Sequence, residues 1–394
     1  MPRILIVGGG PAGVAVAQTL ATELTDNDDT EVIVLEKSKF YYHAVGTPRA
    51  VVDATYTKNL FVPYDNVIPE SAKSFVKFQR VIVTRIVPGA NEVEYASIGD
   101  DDELVAGPVK SMAYDYLVVA TGSTYTVPIK QPKNNFKRLT TETKLAEVRD
   151  QVKAANSVLI VGGGAVGVEV AGEIKSKYPN KTVTILEGKD KLVANDNVRE
   201  KFRIKLSTYL KRLGVKVILG ERLETRLNGN SFEKRTLRTD KGTEIESDVQ
   251  LLCGGFSPTT ELIQKLDSSL VTADGFIKVN KQLQLDSAQY SNIYALGDAS
   301  NSPAPKRAFF AGQQGKHLGS ELVLVARKTQ TNVSKAFPKV EVEATLLPLG
   351  PNGGVSQLPV LGGVVMGNLI TRSIKSKDYF AGMTWKSLGA VVPN

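Results

Sequence analysis

One pattern occurs twice in this chain and limits its fold more than any other feature. "ILIVGGGPAGVAVA" covers residues 4–17, and "VLIVGGGAVGVEVAGEI" covers residues 158–174. In each, an apolar, β-branched run reads as a buried parallel strand. The spacing G-x-G-x-x-G follows, and then a helix-like stretch. In the first copy the glycines are Gly8, Gly10 and Gly13. Gly8 allows a tight turn, Gly10 lets a pyrophosphate approach the backbone, and Gly13 lets the helix pack closely on the strand. The helix N-terminus offers free N–H groups and a positive dipole end to the phosphates. "EVIVLE" then reads as a strand ending in Glu36, where an acid that bonds a ribose hydroxyl is expected. The second copy repeats each part with Gly162, Gly164, Gly167 and "KTVTILE", ending in Glu187. One such loop is weak evidence. Strand, loop, helix, strand and acid in the same order, twice, predict two dinucleotide sites.

The 394 residues leave room for two or three domains. There is one cysteine, Cys253, and two distant histidines, His43 and His317. An intramolecular disulfide is therefore excluded, and no zinc-ligand pattern is present, so no metal is expected. The net charge of +8 suits anionic partners, but the basic residues are dispersed, as on a solvated surface. The first strand starts at Arg3 or Ile4, which leaves no space for a leader peptide. Pro2 removes the glycine that myristoylation needs. "LPVLGGVVMGNLI" is too short to span a bilayer. A soluble or peripherally bound chain is expected.

Further segments extend the pattern. "YDYLVVATGSTY" (114–125) reads as a strand ending in Ala120, Thr121 and Gly122. "LLCGGFSPTT" (251–260) is similar to it, and "NIYALGDAS" (292–300) ends in Gly297 and Asp298. With these motifs in this order, the chain resembles the two-dinucleotide-binding flavoprotein (pyridine nucleotide-disulfide oxidoreductase-like) superfamily. "EIKSKYPNKTVTILE", "TDKGTEIESDVQLLCGG", "APKRAFFAG" and "KSKDYFAGMTWKSL" are similar to its apoptosis-inducing-factor-like, ferroptosis-suppressor branch, which is related to the type II NADH dehydrogenases.

The resemblance implies an α/β fold with two Rossmann-like domains, the NAD domain inserted in the FAD domain, and a small C-terminal α+β domain. The expected boundaries are 1–123 and 256–325 for FAD, 124–255 for NAD(P)H, and 326–394 for the C-terminal part. FAD is expected at Gly8, Gly10, Pro11, Ala12, Gly13, Glu36, Lys37, Arg49, Ala120, Thr121, Gly122, Asp298 and Lys306. NADH, with NADPH as the alternative, is expected at Gly162, Gly164, Ala165, Val166, Gly167, Glu187 and Gly255. Glu169 is expected near the nicotinamide amide, or else as a carboxylate that favours its helix N-terminus. Lys306 or Arg307 would add positive charge at the reduced flavin, on a helix beginning after Pro305. Lys375 would lie beside the flavin and the acceptor entrance. Glu187 favours NADH, because a carboxylate repels a 2′-phosphate, while Lys189 and Lys191 could reach one.

Many relatives pass electrons to a C-x4-C disulfide. The stretch after Glu36, "KSKFYYHAVGTPRAVV", has no cysteine. Cys253, in an apolar run, reads as an inert buried thiol. Reduced flavin must therefore meet its oxidant directly, and the branch implies a quinone. An NADH oxidase, a monodehydroascorbate reductase or a ferredoxin reductase are the alternatives. A redox-sensing, nucleic-acid-binding cell-death effector is an alternative of another class, but no aromatic-rich basic motif supports it. Tyr379, Phe380, Met383, Trp385 and Lys386 either meet a membrane interface or pack on the FAD domain. The expected location is cytoplasmic, with a lipid droplet, plasma membrane or outer mitochondrial membrane as the surface touched. Monomer and homodimer both remain open.

Overall fold

The computed structural model describes residues 1–126, 129–130, 137–194 and 197–393. Among these, two parallel sheets carry the two glycine loops. The first has seven strands, in the order Ile293–Ala295, Tyr116–Val119, Arg3–Val7, Glu31–Glu36, Val76–Val87, Glu92–Ser97, Lys110–Ala113. The first five run parallel and the last two return antiparallel. Arg3–Val7 sits in the middle with Ile4, Leu5 and Ile6 at most 1% exposed, as its apolar, β-branched run requires of a strand covered on both faces. The second sheet runs Val215–Leu219, Thr182–Glu187, Ser157–Val161, Val249–Leu252, all parallel.

Sheet membership shows how the chain is threaded. Strands from residues 3–119 and 293–295 share one sheet, and strands from 157–252 form the other. The outgoing and returning chains meet as a two-stranded ribbon, Ser123–Tyr125 against Phe256–Pro258. The 114–125 segment is thus two strands, broken at Ala120–Gly122, where Gly122 takes a φ of +69°.

Two helices pin the first sheet's loop. Pro11–Glu23 follows the loop, with proline in its first turn, where the missing N–H costs nothing. Ala308–Ala326 crosses it closely. A Cβ on Gly315 would lie 2.3 Å from the Ala12 carbonyl oxygen, so glycine is what permits this approach.

The C-terminal part is a three-stranded antiparallel sheet, Thr345–Pro348, Gly354–Leu358 and Val364–Met366, followed by short helical turns. Leu347, Leu349 and Val355 join the core of the second sheet. The last helix, Ala381–Ser387, returns to the first: Trp385 is 4% exposed, packs in that core and donates from Nε1 to the Asn59 carbonyl at 3.0 Å. Tyr379 is buried as well, whereas Met383 is 68% exposed. Of the two roles weighed for the tail aromatics, these two rings pack on the protein. No described helix is long and apolar enough to cross a membrane. Trp385→Ala should lower unfolding free energy by about 3–5 kcal/mol and Met383→Ala by under about 0.5 kcal/mol, as read by urea titration.

Candidate functional site

Each glycine loop is built to the same plan. Gly8 and Gly162 have φ of +107° and +117°, a region that L side chains rarely adopt. A Cβ on Gly8 would lie 2.5 Å from the Ala120 carbonyl oxygen, and one on Gly162 would lie 2.6 Å from that of Cys253. A Cβ on Gly13 would fall 1.9 Å from the Gly8 oxygen, and one on Gly167 2.0 Å from the Gly162 oxygen. By contrast, a Cβ on Gly10 or Gly164 would meet nothing within 4 Å. Those two glycines open the N-termini of Pro11–Glu23 and Ala165–Lys177, which have no side-chain cap. Free N–H groups, open space and a positive helix end fit a pyrophosphate in both loops.

The terminal acids match too. Glu36 accepts from the Gly9 N–H at 2.5 Å and the Ser38 N–H at 2.8 Å. Glu187 accepts from the Gly163 N–H at 2.6 Å and the Lys189 N–H at 2.9 Å. The middle glycine of each G-G-G thus orients the acid at the end of the second strand, a role the G-x-G-x-x-G reading leaves out. Gly9 is covered by Tyr64, whose hydroxyl donates to its carbonyl at 2.8 Å. Lys37 lies half-buried directly after Glu36, as do Ala165 and Val166 at the mouth of the second loop. Gly255, two residues after Cys253, takes a φ of +89°.

The Gly297–Asp298 turn closes over the first loop helix. A Cβ on Gly297 would be 3.4 Å from that of Ala12. Buried Gln314 holds the turn, accepting from the Gly297 N–H at 2.7 Å and donating to Ser302 Oγ at 2.9 Å. Thr121 closes the base of the two-stranded ribbon, donating to the Thr259 carbonyl at 2.6 Å. Asp298 is paired with Lys130 at 2.6 Å and accepts from Ser123 Oγ at 2.8 Å. Burial acts to raise the Asp298 carboxyl, but Lys130 and Ser123 outweigh it and hold it below the usual range. Lys306 donates to the Ser300 and Ser302 carbonyls, both at 2.7 Å. Burial pushes its ammonium down to about 8, against the pull of Asp298. Arg307 joins the C-terminal part instead, bonding Glu343 at 3.0 Å and the Ala344 carbonyl at 2.7 Å.

Three parts of the chain meet at a buried charge cluster. Glu169 and Glu173 lie one turn apart on the second loop helix, 5% and 1% exposed. Lys375, on the π-turn Arg372–Ser376, reaches Glu169 Oε1 at 2.7 Å and the Leu346 carbonyl at 3.0 Å. Burial raises the Glu169 carboxyl, opposed by Lys375. Arg49, expected at the flavin, has its guanidinium engaged in this cluster: Nε and Nη2 donate to both oxygens of Glu173 at 2.6 and 2.9 Å, and Nη2 to the Ser376 carbonyl at 2.7 Å. Tyr379 donates to Glu173 Oε1 at 3.0 Å, and its carbonyl meets His43 Nε2 at 2.8 Å. Glu173 carried one sequence signal, a second carboxylate at i+4 from Glu169 on an apolar helix. Lys130 and Gln314 carried none.

Two dinucleotide loops on two parallel sheets, one inserted in the other, with a Gly-Asp turn over the first, define a flavoprotein of the two-dinucleotide class. The chain belongs to the pyridine nucleotide-disulphide oxidoreductase family, whose pattern matches residues 2–315. It is an FAD-dependent, NAD(P)H-using oxidoreductase. It is 31% identical to apoptosis-inducing factor homolog B of Dictyostelium discoideum, over 96% of this chain and 94% of that one. It is 28% identical to ferroptosis suppressor protein 1 of Homo sapiens, over 98% and 95%. Its fold superposes on the sulfide:quinone oxidoreductase of Aquifex aeolicus with a TM-score of 0.76, covering 100% of this chain and 93% of that one at 15% identity.

The glycine geometry separates two substitutions. Gly10→Ala should leave the fold intact and reduce the flavin-to-protein ratio of the purified chain. Gly13→Ala should lower the melting temperature as well, because its methyl collides with backbone. His43 makes a pH prediction. Burial pushes its imidazole from 6.5 down to about 4, despite help from the Tyr379 carbonyl and Asp378; Lys375 adds to the lowering. In that window the unfolded chain binds a proton that the folded chain does not. Stability is therefore full above pH 6.5 and falls as pH drops toward 4, by about 2 kcal/mol between pH 7 and 5. Urea titrations should show this loss and its absence in His43→Gln.

Proposed function

We propose that this chain passes two electrons from NADH or NADPH, through FAD, to a quinone. The observation that carries the reading is the sulfur inventory. A disulfide relay needs two thiols beside the flavin, and the one cysteine is buried next to the other loop. Burial pushes the Cys253 thiol up to about 12, so it is no nucleophile. The acceptor must then approach the cofactor itself. The similarity to ferroptosis suppressor protein 1, in a branch expected to reduce quinones, supports the same acceptor.

Bound FAD supplies the two-electron chemistry between nicotinamide and acceptor. The first loop, Glu36 and Asp298 would hold it; the second loop and Glu187 would hold the donor. What remains for this chain is to orient the two and to manage protons. A quinone that becomes a quinol takes up two protons as well as two electrons. Glu169, its proton affinity raised by burial, is placed to hold one at its carboxyl. Lys375 Nζ, 2.7 Å from Glu169 Oε1, neutralises the carboxylate left behind when that proton leaves. Both sit away from bulk water, where such a pair acts more strongly.

An acceptor screen with NADH and the purified yellow protein tests the reading. Turnover with a quinone should exceed oxygen consumption by at least about tenfold. Peroxide formation that accounts for all NADH oxidised, with no gain from quinone, would replace it with an NADH oxidase. Lys375→Met should cut kcat with quinone by about 10²-fold. Glu169→Gln should remove the acid limb from the pH profile of that kcat. Glu187→Ala should abolish most of the NADH preference in kcat/KM.

A further inference from the structure

The first loop helix has a stripe that faces the end of the chain. Pro11, Val14, Ala15 and Gln18 recur at i, i+3, i+4 and i+7 of Pro11–Glu23, so they share one side of it. Thr384, Ser387 and Leu388, at the end of the last helix, stand opposite. Together with Tyr41 the two stripes line a cavity of about 140 Å³. An engineered cavity of about 150 Å³ holds benzene, so this one has room for a single six-membered ring.

The walls are neutral. None of the eight lining residues carries a charge, and burial pushes the Tyr41 phenol up, so its hydroxyl keeps its proton. A dinucleotide phosphate has no cation to meet here. Pro11, Val14, Ala15 and Leu388 supply apolar surface, while the polar groups have capacity to spare. Tyr41 is 9% exposed, yet its hydroxyl bonds no group among the described residues. Gln18 Nε2 donates to the Val67 and Ser387 carbonyls at 3.1 and 2.8 Å, and its Oε1 accepts from none of the described residues. Leaving a buried phenol unpaired is costly. Water answers that need only in part, because each buried water wants several polar partners and the apolar walls offer none.

We infer that this cavity is a further ligand site, for a small neutral molecule of the phenol class, with one apolar ring and one hydroxyl. The ring packs against Val14 and Leu388, and the hydroxyl meets Tyr41 and Gln18, the two groups with unused bonding capacity. Ser387 is exposed and Gln18 half-buried, so the cavity opens to solvent on that side. An occupant bridges the helix that follows Gly10 and the last helix of the chain.

Isothermal titration of the purified, FAD-loaded chain with phenol, and with toluene as the isostere that lacks a hydroxyl, tests the assignment. The wild type should bind phenol at one site, about tenfold more tightly than toluene, the size of one hydrogen bond. Tyr41→Phe keeps the ring and should remove that preference, with toluene binding unchanged. Thr384→Phe places a ring in the cavity from a half-buried position and should abolish binding of both. No phenol binding by the wild type, equal affinity for phenol and toluene, or phenol binding that Tyr41→Phe leaves unchanged would overturn the assignment. No donor or acceptor is present in these titrations, so their outcome is independent of quinone reduction.

Discussion

Backbone has to approach backbone in this protein at points where a side chain would stand. Gly13 and Gly167 bring their helices so close to the preceding turns that any Cβ would fall 1.9–2.0 Å from a carbonyl oxygen. That contact aims two helix N-termini, with their unpaired N–H groups, at the open spaces beside Gly10 and Gly164. Gly315 does the same one layer out, letting Ala308–Ala326 cross the first loop helix and bring the Gly297–Asp298 turn onto it. Dinucleotide binding in this fold is thus a property of main chain and absent methyl groups, and the charged side chains are arranged around it.

The two sheets are joined by something costlier. Removing Glu169, Glu173, Arg49 and Lys375 from water carries a desolvation cost of several kcal/mol per ion unless each is paired with good geometry. Here each is: Arg49 grips Glu173 through two nitrogens, Lys375 reaches Glu169, and Tyr379 and three main-chain carbonyls take up further capacity. The partners come from residue 49, from the second loop helix and from the C-terminal π-turn. Loss of one partner strands the others, so this cluster fixes how the three parts meet. It also keeps the Glu169 carboxylate out of bulk water near the second loop.

Legibility in the sequence follows the range of the interaction. Glu36 and Glu187 were readable because each lies at the end of a strand at a set distance from its loop, and local geometry repeats wherever the pattern does. Asp298 was readable for the same reason, as part of a turn. The resemblance places Arg49 at the flavin, while its guanidinium finds Glu173, 124 residues away, a pairing no local pattern announces. Lys130, which pairs with Asp298 across 168 residues, had no pattern around it. Trp385 could equally have met lipid or protein on sequence grounds; only the packing of the last helix on the first sheet decides that it is core.

Residue order alone thus determined two parallel strand–loop–helix units, their glycines, their strand-end acids and the lack of a sulfur relay, since all of these are short-range geometry or plain composition. The tertiary structure decided which cation meets which carboxylate, because charges far apart along the chain find partners only once the sheets and the C-terminal turn have packed.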